Sequence, residues 1–165
     1  MDYRRRATLA ALVLSAAFLA LVLTAPFMAP YGSFAGLDGN PGFIEGKWGG
    51  HGAAGFMYAL GDLMCHQQET RSFILNGSQL PVCMRDTGIA VGLVAGFASC
   101  LLLDRRLRDR RFAVAGCALV ALMGAEWAVE TTGFDSPLLR TASGVCAGIG
   151  ATLFLCWLLH RDPEE

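Results

Sequence analysis

Four runs of apolar residues, roughly 7–29, 87–103, 112–129 and 141–159, constrain this chain more than any other feature. A helix needs about 20 apolar residues to cross the hydrocarbon core, with a lower limit near 17. The first and fourth runs clear that length, and the second and third sit close to it. Backbone polar groups inside a bilayer must be satisfied within the segment itself, so each run is expected to be a helix. The chain of 165 residues is 54% hydrophobic and only 16% charged, with a mean hydropathy of +0.46, which argues against a soluble globular class. The expected fold is all-α: an integral membrane four-helix bundle in one domain, with a long segment, 30–86, between the first two spans.

The basic residues give an orientation. Arg4, Arg5 and Arg6 precede the first run, and its apolar part is long for a cleaved signal peptide, so a retained anchor is expected. Arg105, Arg106, Arg108, Arg110 and Arg111 crowd the link between the second and third runs, and Arg161 follows the fourth. Nine of the thirteen Lys and Arg residues therefore mark one side; Lys47, Arg71, Arg85 and Arg140 mark the other. The positive-inside rule then puts both termini in the cytoplasm and segment 30–86 outside the cytoplasmic (inner) membrane. The partner this implies is the lipid bilayer, and the net charge of -1 suggests no nucleic acid.

Within the external segment, residues 31–55 carry nine glycines, Gly42 among them, and are expected to lack a core of their own. Ala53 to Met64 then reads as a short interfacial or re-entrant helix leading into Cys65.

The chemistry gathers just beyond. Cys65-His66 is followed, 18 residues after the first cysteine, by Cys83-Met84-Arg85-Asp86, a thiol and a carboxylate at the spacing of a metal knuckle. Cys65, His66, Cys83 and Asp86 would make a four-ligand set for zinc or iron. Against this stands a Cys65–Cys83 disulfide, which an oxidising compartment favours. His66 alone is as well explained as a hydrogen-bonded structural residue. Cys100, Cys117, Cys146 and Cys156 fall inside the apolar runs and read most simply as small buried hydrophobes. Farther along, Glu126 and Glu130 lie four residues apart on one helical face, with Arg140, Arg71 and Arg85 as candidate partners. They form either a salt-bridge network or part of a functional site, in which Glu126 is the candidate general base.

Cys65-His66-Gln67, Arg71-Ser72-Phe73, Gly77 and Pro81-Val82-Cys83-x-Arg85-x-Thr87-Gly88 together resemble a prokaryotic membrane-protein family, domain of unknown function 2085. That family's pattern runs C-H-Q, R-S-F, G and P-x-C-x-R-C-T-G, followed by an acidic residue in the third helix and S-N-x-x-R-x-x-T-G. Glu126 matches the acidic position, and Ser136, Arg140, Ser143 and Gly144 match most of the remainder. The resemblance spans about Gly61 to Gly148. Asp86 replaces the second cysteine of the C-x-R-C unit, and Pro137 replaces the asparagine. If the family binds metal through that unit, Asp86 shifts preference toward zinc or iron and away from copper(I). It also removes a C-x-x-C dithiol, which weakens a thioredoxin-like reading.

Three functions follow as expectations. One is a membrane metal-binding protein with an outward Cys/His/Cys/Asp cluster. Another is a non-enzymatic accessory subunit of a larger membrane complex, with a structural disulfide and with small residues of the fourth run (Ala142, Ser143, Gly144, Ala147, Gly148 and Gly150) available for helix contacts. A transporter or quinone-linked redox protein is the third, supported only by the four helices and a single disulfide.

Overall fold

The computed structural model describes residues 3–40, 46–103 and 108–160. Arg105, Arg106, Arg161 and Gly42 lie outside the described residues. The α-helices are α1 (Tyr3–Thr24), α2 (Gly52–Asp62), α3 (Met84–Leu103), α4 (Arg110–Glu130) and α5 (Pro137–His160). A short hairpin pairs β1 (Ile74–Leu75) with β2 (Ser78–Gln79). Of the helices, α1, α3, α4 and α5 are long and apolar enough to cross a membrane. The chain is an all-α membrane protein.

Local chemistry sets the helix ends. Pro26 lacks an N–H, so α1 gives way there to a single 3-10 turn, Ala25–Met28. Asp109 caps α4 by accepting the Arg111 N–H at 2.9 Å. Pro137 opens α5, a position where its missing N–H costs nothing. At their N-termini α1, α3, α4 and α5 begin two to four residues before the apolar runs.

Two compact units emerge. The first joins α1 up to Ala17 with the chain from Gly88 onward. Here Gly88, Gly92 and Gly96 of α3 face Gly144, Gly148 and Thr152 of α5. A Cβ on Gly92 would meet the Val145 carbonyl, and one on Gly148 the Ile89 carbonyl. Gly116 and Gly150 bring α4 and α5 together in the same way. In lipid there is no hydrophobic drive between helices, so this backbone-to-backbone packing supplies the attraction. The small residues of α5 are thus largely engaged within the chain. Around them α1 and α4 point Val13, Leu14, Val114 and Leu122 outward, as lipid-facing positions require.

The second unit runs from Phe18 to Thr87. Its core joins Val22, Phe34, Trp48, Met57, Tyr58, Leu80 and Val82. The glycine-rich segment builds no core by itself but contributes Phe34 and Trp48 to one formed with its neighbours. Phe34 stacks on Tyr58 with ring centroids 3.8 Å apart, and Trp48 lies 5.6 Å from the same ring. The Trp48 indole N–H donates to Asp62 at 3.0 Å. Two aromatics spaced along a flexible chain bury enough area to pin it, whatever the glycines between them cost in entropy. Asn76 and Gly77 turn the hairpin, both at positive φ, 49° and 67°. The Asn76 amide donates to the Pro26 carbonyl at 2.8 Å, fixing the hairpin to the end of α1.

Candidate metal centre

Three side chains converge in the second unit: Cys65, Cys83 and Asp86, whose ligand atoms all lie within 4.8 Å of one another. Cys83 stands immediately before α3, and its carbonyl takes both the N–H and the hydroxyl of Thr87. Asp86 sits in the first turn, where the helix N-terminus favours a carboxylate. Three residues of separation at a helix start place the two side chains together, and the Cys83 thiol donates to Asp86 Oδ2 at 3.2 Å.

Cys65 arrives from the other direction, off the end of α2. The Cys65 N–H donates to the Gly61 carbonyl at 2.8 Å, closing the last turn. Gly61 packs so tightly on the Pro81 carbonyl that no Cβ fits. Gln67 then locks the two segments. Its side-chain amide donates at 2.8 Å to both the Tyr58 and Pro81 carbonyls, and its own carbonyl accepts the Gln79 amide at 2.9 Å. The Tyr58 hydroxyl donates to the Gln79 carbonyl. Gln67 adopts φ 49°, a conformation that non-glycine residues hold only when their surroundings impose it. Fully buried Gln67 and Gln79 therefore act as a polar clamp that sets Cys65 beside Cys83.

The pair is electrostatically unequal. The neighbouring Cys83 thiol holds Cys65 below the ordinary thiol range. Cys83 is pushed up by its contact with Cys65, by burial and by the Asp86 charge. Cys65 is the first to become a thiolate, while Cys83 keeps its proton until something replaces it. Both are free thiols.

Of the residues singled out in the sequence, Cys65, Cys83 and Asp86 come together. His66 lies next to Cys65 but is exposed and outside the convergent set. Arg71 is exposed at the end of a 3-10 turn, and Arg85 is half-buried in the first turn of α3. The remaining candidates belong to the first unit. Arg140, 1% exposed, donates through Nη2 to Glu130 at 2.7 Å and to Asp135 at 2.8 Å. The Ser143 hydroxyl donates to Glu126 at 3.0 Å. Arg140, one of the candidate partners, thus pairs with Glu130, and this network ties the end of α4 to the start of α5.

Sequence reasoning missed the clamp. Gln67 stood in the C-H-Q motif, but a polar amide gives no sign that it will be buried. The Asn76-Gly77 dipeptide was a usable hairpin signal, and with it the pairing that brings Gln79 inward.

No curated protein and no solved structure matches the chain. The profile of the family described as predicted membrane protein (DUF2085) matches residues 65–154, from Cys65 through most of α5. That match covers more than half of the sequence and includes the convergent cysteines, Asp86 and the Glu126–Arg140 network, and the chain belongs to this family.

Proposed function

We propose that this membrane protein holds a zinc or iron ion at Cys65, Cys83 and Asp86, on the extracytoplasmic side of the inner membrane. The observation that carries the reading is the convergence of three ligand atoms, from two separate segments, to within 4.8 Å of one another. Ligands about 2.0–2.3 Å from a tetrahedral ion lie about 3.3–3.8 Å apart, so small side-chain rotations complete the set. Two thiolates and a carboxylate suit a cation of intermediate softness. His66 is available for a fourth position; without it, that position is open to water or substrate, as in catalytic zinc sites. An ion there would polarise a bound group or activate water. The side assignment rests on the basic residues. Exposed Phe56, Leu63 and Met64 at α2 support an interfacial position for that helix.

Elemental analysis of purified protein tests the site. About one zinc or iron per chain is expected, with Cys83→Ser reducing it to background. Absence of metal together with a Cys65–Cys83 disulfide in mass spectra would rule the reading out.

The accessory-subunit reading has its own supporting observation. Cys117, Ala121, Gly124, Ala125 and Ala128 form an exposed row of small residues on α4, suited to a partner helix. Co-purification with a defined set of membrane proteins, lost on Ala121→Leu, would favour it.

A further inference from the structure

A second pair of thiols lies in the first unit, where the sequence suggested only packing. Cys100 of α3 and Cys156 of α5 are 2% and 0% exposed. Their sulfurs lie within hydrogen-bonding reach of each other, and the Thr8 hydroxyl is within reach of Cys156. Cys100 Sγ lies 3.9 Å from the carbonyl of Thr152, one turn before Cys156, and the two cysteines share one buried cluster with Phe97. Leu12, Leu93, Phe97, Leu103, Phe112 and Leu153 wall the pair.

The position is shallow. Cys100 precedes the end of α3 by three residues, and Cys156 precedes the end of α5 by four. At 1.5 Å per residue, the pair sits about 5–6 Å inside the helix ends. A polar rim covers it. Buried His160 is bonded through Nδ1 to the Cys156 carbonyl at 2.7 Å, and Arg4 Nη1 donates to the His160 carbonyl at 3.2 Å.

Chemistry narrows the occupant. A zinc site needs about four ligands, and no carboxylate and only these two sulfurs meet at this point among the described residues. A soft ion satisfied by two sulfurs needs nothing more. We propose that Cys100 and Cys156 form a second, all-sulfur site for copper(I), chemically distinct from the mixed Cys65–Cys83–Asp86 set. Binding exchanges two thiol protons for one Cu⁺, forming two Cu–S bonds with no change of oxidation state. The resulting complex carries one negative charge.

Full-length protein in detergent carrying Cys65→Ser and Cys83→Ser, kept reduced and anaerobic, is titrated with copper(I) against a chromophoric chelator. One copper per chain is expected, with two sulfur neighbours in X-ray absorption. Adding Cys156→Ser weakens retention at least tenfold, whereas Cys117→Ser and Cys146→Ser leave it unchanged. Should the serine variants fail to fold, protection is read on the wild-type chain in mild denaturant, where both buried thiols label without copper: copper(I) shields Cys100 and Cys156 from a membrane-permeant maleimide, mapped by mass spectrometry. Copper that the chelator strips completely, copper that follows Cys117 or Cys146, absent protection of the pair, or a Cys100–Cys156 disulfide in freshly reduced protein overturns the proposal.

Discussion

At the residue scale, the centre depends on a side chain that ligates nothing. Gln67 supplies the donors for two buried carbonyls and is held at φ 49° to do so. Gln67→Ala removes the donor to the buried Pro81 carbonyl, at about 1–3 kcal/mol, and a second bond to the end of α2. The expected result is a clearly lowered melting temperature in detergent and loss of bound metal, although every ligand remains. Thermal unfolding and metal content measured on the same sample check this. The two cysteines also set a pH dependence. A metal must displace the protons on both thiols, so affinity rises with pH. Cys65 titrates low because of its contact with the Cys83 thiol, and Cys83 titrates high. Below the Cys65 pKa two protons leave, and affinity climbs about a hundredfold per pH unit. Above it only the Cys83 proton leaves, and the slope falls to about tenfold. Competition titrations over a series of pH values read the slope; a slope of zero throughout would mean that the thiols are not ligands.

At the scale of elements, glycine spacing does most of the organising in the first unit. Gly88, Gly92 and Gly96 repeat every four residues and meet Gly144, Gly148 and Thr152. Because a Cβ on Gly92 or Gly148 would run into neighbouring backbone, Gly92→Ala and Gly148→Ala must push α3 and α5 apart. A loss of about 1–3 kcal/mol is expected, as for overpacking of other tight contacts. Gly124 has open space where its Cβ would be, so Gly124→Ala serves as the matched control and leaves stability unchanged or slightly raised. Melting temperatures of the three variants in one detergent separate these outcomes. In the second unit the decisive element is the aromatic stack. Phe34 and Trp48 convert a glycine-rich segment, which composition alone assigns to solvent, into part of a core around Tyr58.

At the scale of the whole molecule, the distribution of basic residues predicts which side each part faces. Cys65 is expected to react with an impermeant maleimide added outside intact cells, with Cys83 as its partner once metal is removed, whereas a fusion at the C-terminus reports from the cytoplasm. Labelling of Cys65 only after the membrane is opened would reverse the orientation. The sequence alone determined much here. Apolar runs of membrane length dictate helices, because a bilayer leaves backbone groups no other partner. Residue types and spacing pointed to Cys65, His66, Cys83 and Asp86, and four-residue spacing put Glu126 and Glu130 on one face. What only the tertiary structure decided are meetings between residues distant in the chain. Among them are Cys65 with Cys83, Gln67 with Pro81, Arg140 with Glu130 and Asp135, and Cys100 with Cys156. Local sequence carries the free energy of forming a helix in lipid, but it carries no information on which buried polar or sulfur atoms will share a neighbour. That follows from packing, from the glycine contacts that set how closely backbones approach, and from the need of each buried donor for an acceptor.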